Sequence, residues 1–186
     1  MDLEARIVRL EAEAAIRRLI AAYCFTIDDR DLPAIAALFA DDARVASEDG
    51  VMEARGIDAI MAQYRQRFSV LGPGAHYMHD ILIDLSEGDP GTGTLWATGR
   101  VSGHAELWRR DRMMVAGLRY RDRYVRTPAG WRFGERIIGF LYYVDAADYP
   151  GILGHRDRNR AYDRPLPADF PEALPTWGSA DGAAHG

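Results

Sequence analysis

From Leu3 to Ile27 apolar residues recur at Ile7, Leu10, Ala14, Leu19, Ile20, Tyr23 and Ile27 with Arg and Glu between them, which predicts one long amphipathic helix. Asp31, Leu32 and Pro33 give an N-cap followed by proline in the first turn, and Ala34 to Ala40 supplies helix formers, so a second, short helix is expected. Ala43 to Glu48 reads as a short strand. Gly56 opens a third helix through Ile57, Ile60, Met61, Tyr64 and Phe68, closed by Gly72-Pro73-Gly74. Beyond it, His76 to Leu85, Thr94 to His104, Glu106 to Arg126 and Trp131 to Val144 alternate apolar with polar or small residues, as half-buried strands do.

The breaks at Glu87-Gly88-Asp89-Pro90-Gly91 and Thr127-Pro128-Ala129-Gly130 carry turn chemistry, so neighbouring strands are expected to pair antiparallel. Helices followed by a meander form an α+β class. The expectation is a cone-shaped α+β barrel, with three N-terminal helices packed against a strongly curved, mostly antiparallel sheet. Residues 1–148 are read as that domain. Residues 149–186, rich in Pro and Gly, are read as a tail that wraps a surface or a partner, its last ten residues disordered.

Composition narrows the chemistry. The net charge of −5 argues against a nucleic-acid partner, which needs a concentrated positive face. No run approaches the roughly 18 uninterrupted apolar residues of a membrane span. The charged first thirty residues do not resemble a signal peptide, so no membrane and a cytoplasmic location are expected. All 23 basic side chains are arginines, which removes lysine Schiff-base and pyridoxal phosphate chemistry. Cys24 is the single cysteine, leaving no intrachain disulfide and no cysteine-rich zinc site. No nucleotide-binding glycine fingerprint occurs, so no cofactor is expected.

Three carboxylates, Asp28, Asp29 and Asp31, crowd the end of the first helix, where the macrodipole is already negative. Asp31 is accounted for as the next N-cap and Asp29 can face water, which leaves Asp28 without a structural task. Ala14-Ala15-Ile16, Tyr23, Asp28, Leu38-Phe39 and Asp41-Asp42-Ala43 together resemble the opening of SnoaL-like proteins of the nuclear-transport-factor-2-like superfamily. That superfamily includes scytalone dehydratase, bile-acid 7α-dehydratase and hexachlorocyclohexane dehydrochlorinase. The resemblance spans about residues 5 to 144.

It implies a catalytic set of Tyr23, Asp28, His76 and Arg136. His76 would be the base, Asp28 would orient it, Tyr23 would donate to an oxyanion and Arg136 would supply fixed positive charge. Tyr23 matches the dehydratase branch. The tyrosine that scytalone and bile-acid dehydratases carry on the strand after the second helix is missing, with Ser47 the nearest candidate. Imidazole is a usable base near neutral pH, and a carboxylate on its second nitrogen fixes the tautomer and stabilises the imidazolium formed.

Strand parity points elsewhere. Tyr77, His79, Ile81, Ile83 and Leu85 form the more apolar alternate set, which puts His79 on the core face and His76 on the other. Only a bulge near the strand start would return His76 to the pocket. Both histidines therefore stay in view, His76 as base and His79 as a substrate contact or replacement base. Three residues apart on a strand they face opposite sides, so a shared metal is not expected. Met114, Tyr120, Phe140 and Tyr142 are further candidates for the lining, in an apolar pocket suited to a small hydrophobic ring compound.

The favoured function is a lyase removing a proton and expelling water, halide or a small carbonyl fragment. A double-bond isomerase or polyketide cyclase of the same fold is the alternative. A non-catalytic ligand-binding or oxygenase β-subunit-like protein is the third. A homo-oligomer, dimer or trimer, is expected through the open sheet face.

Overall fold

A computed structural model describes residues 2–86 and 95–178. Helix α1, Leu3–Asp28, starts where the Asp2 side chain accepts a hydrogen bond from the Ala5 N–H at 2.8 Å. It buries Ala12, Ile16, Leu19, Ile20, Tyr23, Cys24 and Ile27, the i, i+3/i+4 stripe of an amphipathic helix. Ile7 and Leu10, which continue the pattern, stay exposed because burial begins only at Ala12. Arg30 then takes a left-handed φ of 55°, and Asp31 caps the five-residue α2, Leu32–Ala36.

Strand β1, Phe39–Ser47, follows with β2, Glu53–Arg55, antiparallel to it. Helix α3 is Ile57–Val70. Four long strands complete the chain: β3, Gly74–Leu85; β4, Trp96–Arg109; β5, Arg112–Thr127; and β6, Gly130–Asp145. They form one open six-stranded sheet in the order β2-β1-β6-β5-β4-β3, antiparallel except where β1 runs parallel to β6. The fold is α+β, with the N-terminal helices against a curved sheet.

Several element bounds differ from the sequence reading. The break expected near Ala105 lies instead at Arg110-Asp111, where both residues adopt left-handed φ values of 54° and 57°. A two-residue hairpin needs that conformation, and without Asn or Gly nothing in the composition marks it. The second helix stops four residues short of Ala40, and its tail becomes β1. Strand β2 was not anticipated. The turn read at Glu87 to Gly91, and the strand start at Thr94, lie outside the described residues.

Bulges bend the sheet. Met78 pairs with Gly103 and Ile81 with Val101, so His79 and Asp80 together oppose Ser102. Gly103 permits the tight crossing, since a Cβ there would lie 2.6 Å from the Tyr77 carbonyl oxygen. In β6 the register skips Gly134 and again Leu141.

The tail docks on the sheet through residues 158–170. Beyond Ile138, where pairing with β1 ends, β6 is covered by the tail. The Tyr143 N–H donates to the Arg158 carbonyl, the Arg160 N–H to the Tyr143 carbonyl, and the Phe140 N–H to the Asp169 carboxylate. An edge that would otherwise be open is thereby paired. Trp177 and Gly178, the first two of the ten residues expected to be disordered, belong to a short helix, Pro175–Gly178; the others lie outside the described residues.

Candidate active site

Asp28 is the last residue of α1, and its carboxylate is aimed at the start of β3. Oδ2 accepts from the His76 backbone N–H at 2.9 Å, and Oδ1 meets His76 Nδ1 at 2.6 Å. Two contacts to one residue fix both the strand position and the imidazole ring. The His76 side chain is nine per cent exposed, and its Nε2 has no hydrogen-bond partner among the described residues.

His76 faces a narrow cavity enclosed by α1, α3 and the inner face of the sheet, about 30 Å³ in volume, room for about one or two waters. Its floor is apolar, with Ile27, Leu107, Leu118 and Ile138. The polar groups are few. The Tyr23 and Tyr64 hydroxyls lie 3.0 Å apart in a hydrogen bond, and Tyr120 stands edge-on to Tyr23. Burial raises the Tyr64 and Tyr120 hydroxyl pKa values well above the usual range, so both are proton donors throughout the physiological range.

Arg136 lies beneath this cluster and is one per cent exposed. Its guanidinium carbon sits 3.8 Å from the Tyr120 ring centroid, 4.1 Å from that of Tyr23 and 4.3 Å from that of Phe133. Its counter-ion is Asp122, the cross-strand neighbour on β5, with Arg136 Nε 3.2 Å from Oδ1. The Tyr124 hydroxyl donates to Asp122 Oδ2 at 2.8 Å. Burial opposes the Arg136 charge, but Asp122 and the surrounding hydroxyls raise its pKa above the ordinary guanidinium value. Burial raises the Asp122 pKa against the pull of Arg136. Among the described residues neither Nε nor Nη1 of Arg136 makes a hydrogen bond, and only Nη2 does, to Asp122 Oδ2 at 3.3 Å, so several donors of this buried cation are unused.

A SnoaL-like domain model matches residues 8–137, more than two thirds of the chain. The chain belongs to the SnoaL-like family. Among solved structures, a putative scytalone dehydratase from Novosphingobium aromaticivorans superposes with a TM-score of 0.63 at 21% identity, covering 77% of this chain and 91% of that one. The LinA-type3 hexachlorocyclohexane dehydrochlorinase from Novosphingobium barchaimii gives 0.62 at 18%, covering 76% and 94%. An NTF2-like protein with a cystatin-like fold from N. aromaticivorans gives 0.58 at 29%, covering 75% and 88%. No curated protein sequence matches the chain.

In this SnoaL-like protein the residues read from the sequence divide into two groups. Tyr23, His76, Arg136, Tyr120 and Phe140 line one cavity, and Asp28 stands directly behind His76. His79, Tyr142 and Met114 do not line it. The bulge at His79-Asp80 keeps His76 and Met78 on the inner face and resumes with Ile81, so His79 turns outward, where its Nε2 lies 2.7 Å from His104 Nδ1. The bulge at Leu141 acts likewise, turning Tyr142 outward toward Tyr149 and placing Tyr143 in the cavity wall. Met114 packs at the edge of the core, opposite Leu107.

Ser47 is also away from the cavity. Its hydroxyl donates to Asp49 at 2.5 Å and accepts from the Met52 N–H, closing the turn between β1 and β2. The sequence reading missed Tyr64 and Asp122. Asp122 had a signal, as a lone carboxylate between Tyr120 and Tyr124 on the inner parity of β5. Tyr64 had none, because it sits on the apolar stripe of α3 like any core aromatic. Among the described residues, no group of three or more His, Cys, Asp or Glu could hold a metal, and no helix is long and apolar enough to cross a membrane.

Proposed function

We propose that this protein is a cofactor-independent lyase acting on a small hydrophobic ring compound, with His76 as the base. The observation that carries the reading is the Asp28–His76 pair at 2.6 Å, which leaves Nε2 toward an apolar cavity containing a buried cation and hydroxyl donors.

A carboxylate on Nδ1 requires the proton there, so Nε2 presents its lone pair. Nε2 takes a proton from a ring carbon activated by a neighbouring carbonyl or leaving group. The electrons of the C–H bond become the new double bond, and the leaving group departs with its own pair. For dehydration, the imidazolium returns its proton to the departing hydroxide, so base and acid are one residue. Asp28 stabilises the imidazolium. Oxyanion charge that develops in the step meets Tyr23, held by Tyr64, and the field of Arg136, in a site where water is largely excluded. An isomerase would begin with the same proton removal and differ only in where the proton is returned.

The test is a screen of purified protein against ring compounds bearing a leaving group β to an acidic C–H, read by new conjugated absorbance. Wild type should turn over at least one, and His76→Ala and Asp28→Asn should each slow it by about a hundredfold or more. The double variant should be little worse than His76→Ala, because groups acting as a unit lose their effect once. Turnover that persists in His76→Ala would refute the assignment. We also propose a homo-oligomer, dimer or trimer, because β3, β4 and β5 leave Tyr77, Leu82, Trp108 and Met113 exposed. A monomeric mass at micromolar concentration would contradict it.

A further inference from the structure

The cavity opens into a larger vestibule between α3, β2 and the docked tail, and Met52, Gln63, Arg67, Phe140 and Tyr143 line both spaces. Arg67, in the last turn of α3, therefore stands at the neck between them. It is half-buried, and among the described residues its only side-chain hydrogen bond is from Nη1 to the Met52 sulfur at 3.5 Å. A thioether is a weak acceptor for a guanidinium that carries five donors. Arg67 has no ion pair among the described residues, where nine pairs engage eight other arginines.

The surroundings share that imbalance. The cavity lining includes no carboxylate, and the vestibule lining includes one, Glu53, already paired with Arg44 at 3.1 Å. Among the described residues the side chain of Arg109, on the far side of the vestibule, bonds only the Ala161 carbonyl. The charge of Arg67 also reaches inward. Burial and Tyr23 push the Tyr120 hydroxyl pKa up, while Arg136 and then Arg67 pull it back.

We infer that the substrate is a ring compound carrying a carboxylate, and that Arg67 at the neck binds that carboxylate while the ring enters from the vestibule toward the apolar floor, which widens to admit it. The planar fork of a guanidinium matches a carboxylate in two parallel hydrogen bonds, and among the described residues only the weak Met52 sulfur contact engages that of Arg67. Arg136 is not available for this, because Asp122 neutralises it and the aromatic rings cover it. Arg67 thus selects the substrate, and His76 acts on its far end. This inference rests on the proposed function for the meaning of "substrate", yet the binding geometry stands apart from it.

The test measures binding by calorimetry for ring acids of rising size, benzoate, naphthalene-2-carboxylate and abietate, each beside its methyl ester, with 2-naphthyl phosphate as a further arm. Wild type should bind at least one acid about tenfold or more tighter than its ester. In Arg67→Gln that ratio should fall to about one through loss of acid affinity, with ester affinity unchanged, and Arg67→Lys should keep an intermediate preference. No acid preferred over its ester in wild type, or a preference that survives in Arg67→Gln, would overturn the inference. The phosphate binding more tightly than naphthalene-2-carboxylate would overturn the carboxylate assignment. Because the readout is binding, failure of the lyase reading would leave the acid preference intact, so the two failures are distinguishable.

Discussion

Asp122→Ala isolates the buried cation under the site. Both partners of the Asp122–Arg136 pair are essentially without solvent contact, with side-chain exposures of 0% and 1%. Removing the carboxylate leaves Arg136 charged among three aromatic rings and takes away the acceptor of the Tyr124 hydroxyl. Stripping one partner from such a pair costs about 3–5 kcal/mol. For a chain of this size that lowers the melting temperature by about 6–20 °C. Replacing both, as Asp122→Leu with Arg136→Met, removes the stranded charge and should return stability to within about 2 kcal/mol of wild type, because the attraction of a buried pair only roughly offsets its desolvation. Thermal and urea unfolding followed by circular dichroism measure both variants. A loss below about 1 kcal/mol in Asp122→Ala, or a double variant as damaged as the single one, would refute the reasoning.

The tail should dock more firmly in acid. Burial, with Asp49 and Glu48 adding to it and the Phe140 N–H opposing, raises the Asp169 pKa from 3.8 to about 6. The docked state therefore holds the proton more tightly, and docking weakens as pH rises from about 4 through 6; amide exchange over residues 158–170 should show this, and Asp169→Asn should abolish it. Tyr23→Phe should lower turnover of any substrate found by about a hundredfold, at a stability cost of about 1–3 kcal/mol from the buried Tyr64 hydroxyl it strands, and Tyr64→Phe should cost less turnover, because it acts through Tyr23.

How much was legible in the sequence follows from which residues depend on local pattern. Helix α1 and the N-cap Asp31 depend on spacing and capping within a few residues, and both were readable. So was the isolation of Asp28, since its neighbours had structural tasks of their own. Inward and outward positions on the strands were readable only between bulges. One extra residue at His79-Asp80 exchanges the faces of His76 and His79, and one at Leu141 exchanges Tyr142 and Tyr143, yet neither segment has an unusual composition. The choice of His76 came from family resemblance, against the parity of the strand. The Arg110-Asp111 turn is hidden for a related reason, because its left-handed backbone is imposed by the two long strands it joins. Pairings such as Asp122 with Arg136 depend on register across a sheet that bulges have shifted, so composition alone could not reach them.

The central claim is that Asp28 holds His76 with its Nε2 lone pair toward the cavity, and the protonation of that ring tests it most directly. Long-range proton–nitrogen nuclear magnetic resonance of the ¹⁵N-labelled protein at about pH 8 assigns the tautomer of each neutral histidine. His76 should carry its proton on Nδ1 and leave Nε2 unprotonated, and that pattern should shift in Asp28→Asn. A His76 that carries its proton on Nε2, or one whose tautomer is indifferent to Asp28, would contradict it, because the base would have no lone pair to offer the substrate.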